Sequence, residues 1–380
     1  MRKIQMVDLQ SQYEQIRDEI NRGIQNVIES AEFVKGGKIV DFQHHLETYL
    51  GVKHVIPVGN GTDALQISLM ALGLQSGDEV ITPTFTFVST VEVIALLGLK
   101  PVFVDVDPKT FCMSPQSVKN AVSSRTKAII PVHLFGQNAD METLLTIAKE
   151  HNLFVVEDAC QSIGAEYTFS NGRQVKSGCM GTVGCTSFFP SKNLGCYGDG
   201  GAIFTNNDAL ADEIRCIANH GMHKRYHYDR IGVNSRLDSI QAAVLDVKLS
   251  YLDSYIASRQ RAAAFYDAAF SRCQLITVPA RNPQSTHVFH QYTIQLAESI
   301  DRDALKAALN EKGVPAMIYY PIPLHLQKAY SGEGYKIGEF PVAEWLSQSV
   351  LSLPMHTELD GEQLQCITDT VLSLVEQCKR

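Results

Sequence analysis

The sequence predicts an α/β protein, with a mostly parallel sheet covered by helices on both faces and a smaller α/β domain at the C-terminus. Three observations predict it. Apolar runs of four to six residues alternate with helix-period segments between 54 and 157. Those runs are continuously apolar, as strands buried on both faces are. A long helical pattern from Asp238 to about Phe270 then separates this region from a second strand–helix series.

Each element follows from its pattern. Tyr13, Ile16, Ile20, Ile24 and Val27 share one face of a helix over 11–28. A glycine break at Gly36-Gly37 precedes a second helix near 40–50. Strands are predicted at His54–Pro57, Glu79–Pro83, Pro101–Val106, Ala128–Val132 and Phe154–Glu157. Helices are predicted at Ala64–Leu72, Thr90–Leu97 and Met141–His151. From 181 to 205 glycines punctuate β-type runs at Cys185–Phe189 and Ala202–Thr205. A helix over 208–219 follows, and 221–236, rich in His, Tyr, Arg and Gly, reads as an ordered loop. In the Asp238–Phe270 helix, Ile240, Ala243, Val244, Val247 and Leu252 mark the apolar side. After 275 the order is strand, helix, strand, loop and a helix from about 361. The expected domains are 1–250, with its N-terminal helix packing toward the smaller domain, and 251–380.

Composition narrows the function. The 380 residues are 45% hydrophobic and 19% charged, an ordinary soluble balance. A net charge of −8 argues against nucleic acid as a partner. The nine cysteines form no C-x-x-C pair and no zinc-spaced cluster, so free thiols in a reducing cytoplasm and no metal are expected. With charges at Arg2, Lys3, Asp8 and Glu14 no signal-peptide core is visible, so none is expected. The longest apolar stretch, Val91 to Val106, is interrupted by Glu92 and Lys100, so no membrane insertion is expected.

Ligands of open parallel sheets bind beyond the carboxyl ends of the strands. Asn60-Gly61-Thr62-Asp63 follows the first strand and opens a helix, which suits a phosphate as well as a plain N-cap. Phe87, after the second strand, is a ring stacker or a core residue. Asp158 ends an apolar strand, where an acid is costly unless paired. It suits a protonated heterocyclic nitrogen or a cap, and Gln161 lies within reach of an oxygen on the same ring. Lys192 lies in Ser187-Phe188-Phe189-Pro190-Ser191-Lys192-Asn193-Leu194-Gly195. A desolvated lysine there is an amine nucleophile, and a surface-loop lysine is the bland alternative. Ser187 and Ser191 are placed to assist a phosphate. Together these are the parts that pyridoxal phosphate chemistry requires.

Ser187-Phe188-Phe189-Pro190-Ser191-Lys192, followed by Gly198-Asp199-Gly200-Gly201, resembles the cofactor-lysine region of the DegT-type nucleotide-sugar aminotransferases. Asn60 to Leu65, Glu157-Asp158-Ala159 with Gln161-Ser162, Gly232 to Arg236 and Tyr320-Pro321 occur in that family's order and spacing, across essentially the whole chain. The resemblance implies the fold-type I aminotransferase architecture, with a mostly parallel seven-stranded sheet. It also implies a homodimer with active sites shared between subunits. By motif, Lys192 is the Schiff-base lysine for pyridoxal 5'-phosphate, Asp158 pairs with the pyridine nitrogen, Gln161 contacts the ring hydroxyl and Phe87 stacks on the ring. Gly61, Thr62 and Ser187 hold the phosphate, completed by Asn234 of the other subunit. Arg236, Tyr320, Tyr319, His220 and Arg225 are the implied substrate-binding residues.

Family members with His in place of this lysine resemble sugar dehydratases, so Lys192 favours transamination. The stretches Phe188–Thr205 and Arg225–Asp238 most resemble the subgroup that aminates C3 of a UDP-linked 2-acetamido-3-oxo-glucuronic acid, with L-glutamate as donor, in bacterial surface polysaccharide (O-antigen) biosynthesis. Arg236 is a suitable bidentate partner for a uronate carboxylate. Tyr319 stands where that subgroup carries His. Two alternatives accompany this reading: C4 amination of a nucleotide 4-keto-6-deoxy sugar, and a non-catalytic regulator on the same fold.

Overall fold

The computed structural model describes residues 2–380. In chain order the elements are helices α1 (Leu9–Ser30) and α2 (Gly37–Leu50), strand β1 (His54–Val58), α3 (Gly61–Ala71), β2 (Glu79–Pro83), α4 (Ser89–Leu96), β3 (Lys100–Val104), α5 (Pro115–Ala121) and β4 (Thr126–Ile129). Next come α6 (Met141–His151), β5 (Phe154–Asp158), β6 (Glu166–Thr168), β7 (Gln174–Lys176), β8 (Val183–Ser187), β9 (Gly201–Thr205), α7 (Asp208–Ala218) and the long α8 (Ser239–Phe270). The C-terminal region holds β10 (Ile276–Thr277), β11 (Tyr292–Leu296), α9 (Arg302–Glu311), α10 (Pro341–Ser349), β12 (Val350–Leu353) and α11 (Gly361–Val375).

The main sheet has seven strands in the order β1-β9-β8-β5-β4-β2-β3. β9 is antiparallel to both of its neighbours, and every other pairing is parallel. Side chains alternate between the faces. Ile56, Val58, Val80, Val156 and Ile203 pack with α3, α4 and α7 through residues such as Leu65, Val93 and Ile214. On the other face, Val55 and Phe204 meet Phe42 and Leu46 of α2 and Leu245 and Leu252 of α8. Ile81 and Val155 there meet Leu144 and Ile147 of α6. Each such fully buried side chain contributes roughly 1.5–3 kcal/mol relative to exposure.

α8 spans 32 residues. Its first half carries α1, through Ile16, Ile20 and Val244. Its second half, through Ala262, Ala263, Tyr266 and Phe270, packs on a C-terminal core with Tyr292, Ile294, Leu305, Leu351 and Ile367, which Ile4 also joins. The three-stranded sheet there is β10-β11-β12.

The structure corrects several boundaries. The strand expected at Ala128–Val132 runs Thr126–Ile129, because Pro131 has no N–H for the ladder; Val132 keeps only an isolated bridge to Asp158. The run expected at Cys185–Phe189 is Val183–Ser187. Its start was masked by Gly184, where a Cβ would lie 1.9 Å from the Gly178 carbonyl oxygen. α5, α10 and the β6–β7 hairpin were missed, each being too short to show a period.

Candidate active site

The carboxyl ends of β1, β2, β5 and β8 open on one cavity of about 780 Å³. Gly61, Thr62, Phe87, Asp158, Gln161, Ser187, Lys192, Tyr319 and Tyr320 all line it. Nine of the residues singled out in the sequence are therefore brought together from segments up to 259 positions apart, between Gly61 and Tyr320.

At one end two helices begin. The Asn60 side chain caps α3 by accepting from the Asp63 amide at 2.8 Å, and the Asn60 carbonyl accepts from the Ala64 amide. The remaining first-turn amides, those of Gly61 and Thr62, have no acceptor within the helix. The Thr62 hydroxyl lies 2.8 Å from that of Ser89, the first residue of α4. The free amides at the start of α3, with the Thr62 hydroxyl and the Ser89 hydroxyl at the start of α4, form an anion cup. Gly61 is required there: a Cβ would lie 2.7 Å from the Ser187 Cβ and 3.0 Å from the Cys160 sulfur. The backbone therefore approaches β8 without any side chain between them.

Asp158 is buried at the end of β5. Its Oδ2 accepts from the Thr90 hydroxyl at 2.8 Å and its Oδ1 from the Cys160 amide at 3.2 Å. Both donors are neutral, so neither supplies the cation that a buried carboxylate calls for, and a cationic ligand atom suits this position. The preceding Glu157 shapes the wall differently. It accepts from His133 Nε2 at 2.9 Å and from the Gly178 and Met180 amides, which pins the turn leading into β8.

Gln161 Oε1 accepts from the Phe135 amide at 2.7 Å, and its Nε2 donates to the Tyr320 hydroxyl at 3.2 Å. Tyr320 packs on Phe85 with ring centroids 5.9 Å apart and on Phe87 at 6.4 Å. Phe87 is 54% exposed, so its face is open to a planar ring.

Lys192 sits at the tip of a loop closed at its base. The Lys192 amide donates to the Phe189 carbonyl, and the Cys196 amide to that of Phe188. Burial lowers the Lys192 ammonium below its ordinary value, while Cys160 and Asp158 nearby act in the opposite sense. Burial, and then Asp158, push the Cys160 thiol well up, so it stays protonated. The cavity thus holds an amine poised to lose its proton, a free carboxylate, an open aromatic face and a phosphate cup. This donor set fits pyridoxal phosphate.

Four expected residues stand elsewhere. Asn234, Arg236, His220 and Arg225 are exposed and do not line this cavity. Arg236 borders a different groove, with Lys35 and Arg215. Arg225 lies over the Tyr226 ring at 5.0 Å. Conversely, Ser89, Thr90 and His290 were missed. Ser89 and Thr90 carried a usable signal: two hydroxyl residues at a helix start just beyond a strand end, as at Thr62.

Residues 14–372 match the model of the DegT/DnrJ/EryC1/StrS aminotransferase family. The chain is 47% identical to the pleiotropic regulatory protein of Geobacillus stearothermophilus, covering 97% of each. It is 47% identical to the UDP-2-acetamido-2-deoxy-3-oxo-D-glucuronate aminotransferase of Pseudomonas aeruginosa, covering 96% of this chain and 98% of that one. A 43% identity, over 97% of each, relates it to the UDP-N-acetyl-3-dehydro-alpha-D-glucosamine 3-aminotransferase of Acidithiobacillus ferrooxidans. Among solved structures, S. venezuelae DesV in complex with ketimine intermediate superposes with a TM-score of 0.94 at 36% identity, covering 99% of both chains. The Bacillus subtilis protein ntda with bound cofactor PMP gives 0.88 at 30% identity, covering 98% of this chain and 83% of that one.

Proposed function

This chain belongs to the DegT/DnrJ/EryC1/StrS aminotransferase family, and from that premise we propose that it aminates C3 of a UDP-linked 2-acetamido-3-oxo sugar, the glucuronic acid foremost, with L-glutamate as donor. It is an aminotransferase with pyridoxal 5'-phosphate as cofactor. The carrying observation is the shared cavity of Lys192, Asp158 and the two helix N-termini. Relatives named for C3 amination of UDP sugars support the sugar class.

When bound, the cofactor supplies an electron sink and a carrier for the amino group. Lys192 would hold it through its amine, and that amine, with its pKa lowered by burial, would move the proton at the donor's Cα. Asp158 would pair with the ring nitrogen and keep it protonated. Phe87 supports the ring face and Gln161 meets the ring hydroxyl. Gly61, Thr62, Ser187 and also Ser89 hold the phosphate. Tyr319 and Tyr320 face the sugar.

The substrates bring a diphosphate and carboxylates, yet the cavity lining contains Asp63, Asp158 and Asp199 and only Lys192 as a cation. Arg236, Arg225, His220 and Asn234 answer this if they enter the site of a second copy, making the enzyme a homodimer. Exposed Phe33, Val34, Val40, Tyr226, Tyr228 and Ile231 supply apolar surface for such an interface. No helix among the described residues is long and apolar enough to cross a membrane. We take the enzyme to act in the cytoplasm, on sugars destined for bacterial surface polysaccharide such as O-antigen.

The test is spectroscopic. Glutamate added to the cofactor-loaded protein should shift the cofactor's visible absorbance. Among candidate keto sugars, the UDP-linked 3-oxo glucuronic acid should restore it fastest. Restoration by a 4-keto-6-deoxy sugar instead would overturn the sugar assignment. No shift with glutamate would favour a regulatory role, in keeping with the name of the Geobacillus relative.

A further inference from the structure

Thr84 lies one strand end away from the chemistry, and its own bonds lead elsewhere. It is fully buried, just past β2 and three residues before Phe87. Its carbonyl accepts from the Leu324 amide at 2.8 Å. Its hydroxyl oxygen accepts from the His325 amide at 3.1 Å and lies 2.7 Å from His325 Nδ1. Three hydrogen bonds thus tie one threonine to two adjacent residues. His325 is 2% exposed, and its Nε2 lies 3.2 Å from Glu344 Oε1. Glu344 also accepts from the Gly338 and Phe340 amides.

The protons can be placed. The Thr84 oxygen already accepts from the His325 amide, so its own O–H is free to donate to Nδ1. The ring proton is then on Nε2 and points to Glu344. Burial lowers the His325 pKa and Glu344 raises it, with burial the larger effect, which agrees with a neutral ring. Every polar atom in the relay is thereby paired, as a buried network requires.

Leu324 and His325 follow Tyr320 by four and five residues. Whatever holds them holds the segment that delivers Tyr320 onto Phe85, Phe87 and Gln161. We propose that Thr84, His325 and Glu344 form a buried clasp that positions Tyr320, and through it Gln161, at the cofactor edge of the cavity. Thr84 and His325 are positioning residues, not groups that touch the reacting atoms. The inference rests on reading the cavity as the pyridoxal phosphate site.

The experiment titrates cofactor-free protein with pyridoxal phosphate, a readout independent of any sugar. Thr84→Val keeps the shape but leaves both His325 groups unpaired. It should weaken binding about tenfold, whereas Thr84→Ser should stay within about twofold of wild type. In a Tyr320→Phe background, Thr84→Val should add less than about twofold, because the two act through one contact. Wild-type affinity in Thr84→Val, or a full tenfold loss persisting beside Tyr320→Phe, would overturn the clasp. Fluorescence of Trp345, the single tryptophan and the neighbour of Glu344, shows whether α10 remains folded in each variant. Should Thr84→Val unfold, His325 decides. His325→Asn keeps an acceptor facing Thr84 and should bind normally; His325→Leu should lose about tenfold, and normal binding by it would sink the proposal. A protein that binds pyridoxal phosphate yet aminates no keto sugar would overturn the sugar reading and leave this test intact.

Discussion

Thr90 illustrates how one hydroxyl serves a charge. Its donation to Asp158 Oδ2 is one of two bonds to a buried carboxylate. Thr90→Val preserves volume and removes that bond, leaving an acceptor short of a partner at a cost of roughly 1–3 kcal/mol. The half-reaction with glutamate should slow about tenfold or more, followed by rapid-mixing absorbance; an unchanged rate would place the working charge elsewhere. Lys192 and Asp158 were legible because a lysine and an acid at strand ends conflict with their apolar neighbours. The role of Thr90 was not, because hydroxyls at a helix start beyond a strand end signal a site without saying which acceptor each one meets, and this partner lies 68 positions away.

At the element scale, the first turn of α3 forms one side of the proposed phosphate cup. Gly61→Ala pits two effects against each other. Alanine favours a helix by up to about 1 kcal/mol over glycine. The added Cβ, however, would lie 2.7 Å from Ser187 Cβ, and β8 is locked in the sheet. The clash should win: affinity of the cofactor-free protein for pyridoxal phosphate should fall at least about tenfold, with little change in melting temperature. Retained affinity would mean that α3 can retreat without cost. Strand existence was readable here because strands buried on both faces are continuously apolar. Strand ends were not, since Pro131 and Gly184 act through backbone donors and close approaches that no hydrophobic period registers.

At the scale of the whole molecule, the proposed sharing of sites between two copies makes a strong prediction. Lys192→Ala and Arg236→Ala should each be inactive as pure proteins. Mixed and allowed to exchange subunits, they should regain activity, because a hybrid dimer carries one site with both native residues. Absence of complementation at verified exchange would confine each site to one chain. Stability should also depend on pH through buried histidines. Burial, with Arg259 nearby, lowers His356 from 6.5 to about 4. His287 and His290 are driven well below the ordinary range by burial. Between pH 6.5 and about 4 the unfolded chain binds more protons than the folded one, so stability is present near neutrality and lost as pH falls. His356 Nδ1 accepts from the Glu358 amide. His356→Asn should keep that acceptor and flatten the decline of melting temperature on acidification; an unaltered slope would exclude His356 as a contributor.

The sequence by itself determined the α/β class, the order of the longer strands and helices, and which candidate residues stand beyond the strand ends. These follow from local period, from the cost of placing Lys192 and Asp158 where they stand, and from the capping pattern around Thr62. Only the tertiary structure decided which of them share a cavity. It joined Tyr320 to Phe87 and Gln161, put Thr90 behind Asp158, closed the Thr84–His325–Glu344 relay, and left Asn234, Arg236, His220 and Arg225 on the surface. The physical reason is range. Periodicity and capping act over a few residues, whereas buried hydrogen bonds join partners as much as 241 positions apart, and their pairing exists only once the sheet and its cap have packed.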